Sequence, residues 1–277
     1  MIDNPIEMLA AQYRGELDLS EYCNNDSIID VYFELFLEIA KEIHDDVFLK
    51  GNVLLNKILR DTARGTKDLD FSCVNEELYY NVIVKHLSDF GDKAIETGLA
   101  SSYEVRDIQP RRSGGIDVKD EAGSIVYAVD VSLAESAVFG TVEYNFSGDC
   151  ILGSSINKIL ADKCLSTLSR KRFRRIKDFY DMYIILNSDL RYDTKEILAL
   201  MIDKVGKEEV ARLLSNYPFS QEIIVQANHA WGKLELNRGC DGTVIERPEF
   251  SSVTNKVYEL YGMIDSYMVG GIIREQG

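Results

Sequence analysis

Apolar and polar positions follow two different rhythms along this chain, and the point where one gives way to the other suggests its architecture. Early on, "IIDVYFELFLEIAKEI" follows Asp26 and Ser27, which suit a helix N-cap, and its apolar face is wide enough for a well-buried helix. "VFLKGNVLLNKIL", residues 47–59, predicts a short strand, a turn at Lys50-Gly51-Asn52 and a helix whose apolar positions include Val53, Leu54, Leu55, Ile58 and Leu59. "NEELYYNVIVKHLSDF" predicts another helix. "SYEVRDIQ", "GIDVK" and "SIVYAVDVSL" are strand-like, separated by the turn signals "PRRSGG" and "DEAG", and they imply a mixed sheet with hairpins. "AVFGTVEYNF" offers a further strand before Gly148 and Gly153 interrupt the pattern.

Beyond Ser154 the spacing is helical: "SINKILADKCLSTLS", "IKDFYDMYIIL", "TKEILALMIDKV", "KEEVARLLSNY" and "SVTNKVYELYGMI". "NRGCDGTVIERPEFSS" predicts a long loop. The switch divides the chain into a sheet-bearing domain with N-terminal helices, 1–150, and a C-terminal helical domain, 151–277. The fold class expected is α+β, a mixed sheet followed by a helical bundle region.

Composition narrows the function. A chain of 277 residues with 45% hydrophobic and 28% charged residues can bury a real core and suits two modest domains. No apolar run is long enough to span a bilayer, and the opening segment is acidic where a signal peptide needs basic residues, so a cytoplasmic protein is expected. Five scattered cysteines (Cys23, Cys73, Cys150, Cys164, Cys240) fit neither a disulfide framework nor a zinc site. His44, His86 and His229 form no ligand pattern. A formal charge of −15 argues against non-specific DNA binding, which draws on Lys and Arg. The basic run "RKRFRRIK", 170–177, is the local exception and a place where tRNA or another structured RNA would dock. A solvated helix junction is its ordinary reading.

The candidate chemistry begins at "RGTKDLDFSC". Side chains alternate along a strand, so Asp68 and Asp70 share one face while Leu69 and Phe71 take the other. At about 4 Å and an effective dielectric near 20, two such charges repel by roughly 4 kcal/mol unless a cation or solvent intervenes. Mg²⁺ suits the pair, because it favours one or two carboxylates together with phosphate oxygens and water. Asp130 is the single charge in the apolar strand "SIVYAVDVSL" and needs a partner, which is a metal or a core arginine. A Gly turn at a helix N-terminus, residues 50–52, is suited to phosphate. Each feature alone is commonplace. Their order raises the prior for a two-metal phosphoryl or nucleotidyl transfer site.

In that order, "FLKGNVLLNKILRDTARGTKDLDFS" resembles the first motif of the AbiEii/AbiGii toxin-type nucleotidyltransferases, in the DNA polymerase β-like superfamily. "AVDVSL" is similar to that family's K-x-D strand, "ADKCLSTLSR" to its Lys helix and "RRIKDFYDMYIIL" to its K-D-x-Y-D-x-Y helix. The resemblance implies a polymerase β-like domain, NTP as substrate and two Mg²⁺ ions. It assigns catalysis and metal binding to Asp68, Asp70 and Asp130, and nucleotide contacts to Gly51, Asn52, Thr66, Lys163, Asp178 and Asp181. It also implies a cognate antitoxin as partner. Two positions depart from the pattern: Asn52 replaces a small residue of the Gly turn, and Ala128 replaces the lysine two places before the third acid. Three functions remain open at this stage: a toxin transferring NMP to tRNA, protein or a small molecule; an antibiotic-type small-molecule nucleotidyltransferase; and a non-catalytic interaction protein retaining the fold.

Overall fold

The computed structural model describes residues 24–59, 63–66, 68–108, 113–133, 140–146, 149–169, 175–234, 236 and 245–275. They form two compact units, the first running through Ser154 and the second made from Ser155–Leu236 and the chain from Glu246 onward.

The first unit opens with α1 (Asn24–Ile43), a 3₁₀ turn (His44–Asp46), β1 (Val47–Lys50), α2 (Gly51–Leu59) and β2 (Asp68–Cys73). A single turn at Glu76–Leu78 and a π-helical segment, Tyr79–Ile83, lead into α3 (Val84–Glu96). Then come β3 (Ser102–Arg106), β4 (Gly114–Lys119), β5 (Ile125–Leu133), β6 (Thr141–Phe146) and β7 (Asp149–Ser154). Among the described residues the sheet order is β3-β4-β5-β2-β1-β7-β6. It is mixed, as expected: β2 runs parallel to β5 and β1 parallel to β7, whereas the other neighbouring strands are antiparallel.

One face of this sheet is core. Leu49, Leu69, Phe71, Val129, Val131 and Ile116 are fully buried on it. Phe36 of α1 meets Phe71 edge-on with ring centroids 5.4 Å apart, and Gly91 of α3 lies against the Tyr103 ring. Burying side chains of this size stabilises the fold by roughly 1.5–3 kcal/mol each, so the register that turns Leu69 and Phe71 inward is strongly selected. Their neighbours Asp68 and Asp70 are thereby forced onto the opposite face.

The structure differs from the sequence reading in two places here. Gly153 lies inside β7 because it pairs with Leu49, and a Cβ there would press on the Tyr144 ring at 2.9 Å. The glycine marks a close approach within a strand, not a break. Likewise, the last two residues of "PRRSGG" open β4, with Gly115 opposite Asp130.

The second unit comprises α4 (Ile156–Leu168), α5 (Ile176–Leu186), α6 (Thr194–Val205), α7 (Lys207–Leu214), α8 (Gln221–Gly232) and α9 (Phe250–Glu275). Ser155 caps α4 by accepting from the Lys158 amide at 3.1 Å, and Asp193 caps α6 through the Lys195 amide at 2.8 Å. The core joins Leu160, Cys164, Phe179, Met182, Met201, Val253, Leu260 and Tyr261. α8 is absent from the sequence reading: it buries little beyond Ala227 and Trp231, so its apolar stripe is too thin to register. α9 extends well past the predicted helix and begins inside the predicted loop, where Phe250 is anchored against Phe179 and Trp231.

Burial pushes the Cys73 thiol up to about 11 and the Cys164 thiol higher still, so both are held as inert core thiols, while Cys150 is exposed. No helix among the described residues is long and apolar enough to cross a membrane.

Candidate active site

Strand register brings the predicted acids together. Asp70 on β2 stands directly opposite Asp130 on β5, with Asp68 two positions earlier on the same face and opposite Ala128. On the other side of β2, Lys50 at the end of β1 is the register partner of Asp70. Lys50 Nζ donates to Ser132 Oγ at 2.6 Å, and the Ser132 and Ser72 hydroxyls lie 2.8 Å apart. A cation and two hydroxyls thus border the carboxylates. Sequence reading places Lys50 in the Gly turn, one residue beyond the strand it in fact ends, and misses both serines, since serines in strands carry no signal until pairing is known.

The Gly turn lies where the motif predicts. Gly51 has φ +71°, and a Cβ on it would fall 2.4 Å from Asp70 Oδ2, so the chain can enter α2 at this point only without a side chain. Gly51→Ala is expected to cost about 1–2 kcal/mol for the left-handed backbone. It is also expected to displace the Asp70 carboxylate, so activity falls further than the loss of stability accounts for. Denaturant unfolding measured beside nucleotide transfer checks this; equal, small losses in both would refute it.

Asn52 serves the loop. It is buried, and its amide donates to the Arg64 carbonyl at 2.7 Å, fixing the segment that leads into β2; its Oδ1 has no hydrogen-bond partner among the described residues. This bond uses one of the two hydrogens of the Asn52 side-chain amide. Thr66 acts locally too: its hydroxyl accepts from the Asp68 amide at 3.3 Å and steadies the start of β2.

Asp130 has the core arginine that the sequence reading weighed against a metal. Arg106 Nη2 lies 2.8 Å from Asp130 Oδ1, and Arg106 Nε lies 3.2 Å from Asp117 Oδ1. Among the described residues no group of three acids, histidines or cysteines is gathered into a ready-made metal cage. Mg²⁺ does not require one, because it is ordinarily held by one or two carboxylates plus substrate phosphates and water. Asp68 and Asp70, hard oxygen donors on one face, fit that requirement, and Asp130 retains its second oxygen.

Lys163, Asp178 and Asp181 meet within the helical unit. Lys163 Nζ on α4 lies 2.7 Å from Asp181 Oδ2 and 3.3 Å from Asp178 Oδ1 on α5. Ser166 Oγ donates to the other Asp178 oxygen at 2.8 Å. Asp162, the chain neighbour of Lys163, pairs with Lys204. Thr167 donates to the Lys163 carbonyl or shares a hydrogen with the Tyr261 hydroxyl at 2.6 Å, and burial holds Tyr261 protonated by raising its pKa well above the ordinary value. Of the basic run, residues 170–174 lie outside the described residues; Arg175 is exposed just before α5, and Lys177 is half-buried within it.

Residues 35–238 match the family described as nucleotidyl transferase AbiEii toxin, Type IV TA system. The match takes in well over half of the chain, both the sheet and most of the helical unit, and defines the protein as a nucleotidyltransferase. The chain belongs to the AbiEii toxin family, a toxin–antitoxin family. No curated protein matches it. Solved structures with related shape include JHP933 from Helicobacter pylori, at 11% identity and a TM-score of 0.40, covering 90% of this chain and 98% of that one. An antigenic nucleotidyltransferase-like protein from Paracoccidioides brasiliensis gives 15% identity and a TM-score of 0.34, covering 68% and 92%. The antibiotic-resistance factor ANT(2'')-Ia gives 16% identity and a TM-score of 0.34, covering 74% and 98%.

Proposed function

We propose that this chain transfers a nucleoside monophosphate from an NTP to a hydroxyl acceptor in a Mg²⁺-dependent reaction, as the toxin of a toxin–antitoxin pair. The observation that carries this reading is the register of Asp70 opposite Asp130, with Asp68 on the same face and Gly51 opening a helix against Asp70.

In this reading Asp68 and Asp70 hold the metal ions, and Asp130 joins them through the oxygen Arg106 leaves available. When bound, Mg²⁺ stabilises charge on the attacking and departing oxygens. The α2 N-terminus, bare at Gly51, presents backbone N–H groups to the triphosphate. The acceptor hydroxyl attacks the α-phosphorus as its proton passes to Asp130; the new ester bond forms as the bond to pyrophosphate breaks, and pyrophosphate leaves. The nucleotide contacts that the resemblance implies for Lys163, Asp178 and Asp181 belong to the helical unit, where Asp178 and Asp181 hold the Lys163 ammonium. Structured RNA such as tRNA is the acceptor class we favour, received by residues 170–177, and the antitoxin is the protein partner that family membership implies. The cytoplasm supplies these substrates.

Incubating the protein with each NTP labelled at the α-phosphate, Mg²⁺, and in turn tRNA, total protein or an aminoglycoside tests the proposal. Label in RNA, lost when the metal is chelated, is the expected result. Label in the aminoglycoside alone would move the assignment to a small-molecule enzyme. No transfer to any acceptor, together with no thermal stabilisation by Mg²⁺ and NTP, would leave an interaction protein that has kept the fold; ligand at 100 times its Kd should add about 2.7 kcal/mol.

A further inference from the structure

We infer that Arg106 is a positioning residue for the acidic face: it fixes Asp130 opposite Asp70 and serves as a built-in cation with which a divalent ion competes. This rests on the nucleotidyltransferase reading of that face and adds a residue to it that neither the motifs nor the family match assigns.

Arg106 is on the edge strand β3, and its register partner on β4 is Gly115, which in turn pairs with Asp130 on β5. To reach Asp130 the arginine must pass over β4, and it does so where β4 has no side chain. A Cβ on Gly115, where φ is +133°, would lie 1.8 Å from the Val129 carbonyl oxygen and 2.9 Å from Arg106 Nη2. Through this gap Nη2 donates to both the Val129 carbonyl at 2.9 Å and Asp130 Oδ1 at 2.8 Å, while Nε faces Asp117 at 3.2 Å. The backbone of Arg106 is pinned as well. Its carbonyl accepts from the Tyr79 hydroxyl, and that hydroxyl accepts from the Gly115 amide at 2.8 Å. Tyr79 of the π-helical segment thus fixes the backbone of Arg106, and β5 fixes its guanidinium.

The charge pattern explains why such a device is needed. Asp117, Asp130, Asp70 and Asp68 lie on one face across three adjacent strands. Like charges at this spacing destabilise the face unless cations sit among them. Position 128, on the same face between Asp117 and Asp68, is an uncharged alanine where the family pattern has lysine. On this side of the face the cation comes from β3, while Lys50 on β1 supplies one on the other side of Asp70. A guanidinium suits the position because its Nη2 donates to Asp130 and a carbonyl at once while its charge lies within ion-pair distance of Asp117, whereas an ammonium has no such planar fork. The same contact takes one Asp130 oxygen and opposes the approach of a second positive ion.

Binding of Mn²⁺ alone, followed by the electron paramagnetic resonance of the free ion, separates this role from a structural one. Arg106→Gln is expected to bind Mn²⁺ about tenfold more tightly than the parent, equivalent to about 1.4 kcal/mol, because the competing charge is gone. Arg106→Lys keeps a cation and should stay within about threefold of the parent. A merely structural arginine would give weaker Mn²⁺ binding in both variants, and that result overturns the inference. In nucleotide transfer, Arg106→Gln should lower kcat in the parent background and have no further effect beside Asp130→Asn, since it acts through that carboxylate. Losses that multiply would equally overturn it. If the parent transfers no nucleotide while the Mn²⁺ order holds, the enzymatic reading fails and the role of Arg106 stands.

Discussion

Asp70→Asn is expected to leave the protein folded and to reduce nucleotide transfer by about a thousandfold or more. Asp70 faces Asp130 across β2 and β5, shares its face with Asp68, and abuts the bare Gly51 at the α2 N-terminus. Every group the reaction draws on in the first unit therefore converges on this carboxylate. Losing a metal ligand removes charge stabilisation worth several kcal/mol in the transition state, and each 1.36 kcal/mol is about a factor of ten in rate. Stability should change by about 1 kcal/mol at most, since asparagine keeps the shape of the half-exposed side chain and lowers the like-charge repulsion on the face. Label transfer from the α-phosphate and urea unfolding are the two measurements. Transfer within tenfold of the parent would dismiss Asp70 as a metal ligand.

The largest stability effect is expected at Lys163. Its side chain and those of Asp178 and Asp181 are 11%, 10% and 0% exposed, so the three charges sit together largely out of water. Lys163→Met removes the cation that faces the two carboxylates, which should cost about 3–5 kcal/mol. Combining it with Asp181→Asn should recover part of that loss, because a buried charge without a partner is costlier than a neutral group that can hydrogen-bond. Urea unfolding midpoints at unchanged slope measure both effects; a loss below about 1 kcal/mol for Lys163→Met would show that the cluster is far better solvated than its burial implies. The order of these effects also guides the functional test. Any drop in transfer by Lys163→Met is informative only where the variant is still folded, whereas Asp70→Asn has no such restriction.

The two predictions differ because the surroundings of their carboxylates differ. Asp70 lies on an open sheet face bordered by Lys50 and the Ser72–Ser132 hydroxyl pair. Asp181 lies inside a helical core held by Lys163, on the same unit as the Thr167–Tyr261 bond that ties α9 to α4. From sequence, both are simply aspartates in motif-like strings.

What the sequence determined by itself was local. Alternation in "DLDFSC" placed Asp68 and Asp70 on one face because a pleated strand has a period of two whatever it packs against, and burial of Leu69 and Phe71 fixes which face. Strand, glycine and helix in succession located the turn at Gly51, and helical spacing beyond Ser154 anticipated α4, α5, α6, α7 and α9. The K-D-x-Y-D-x-Y helix and the Lys helix identified Lys163, Asp178 and Asp181 as residues to watch, and the structure gathers them into one cluster.

Tertiary structure decided everything that depends on which strands are neighbours. The 60-residue separation of Asp70 and Asp130 is closed by a parallel β2–β5 pairing, and parallel pairing leaves no short turn in the sequence to announce it. The same is true of Arg106, which reaches Asp130 over Gly115 only because β3, β4 and β5 lie side by side, and of Asn52, whose amide the chain turns toward Arg64. Side-chain periodicity is a property of a single strand or helix and can be read from the chain; partnership between charges is a property of register across strands, which only the packed core fixes.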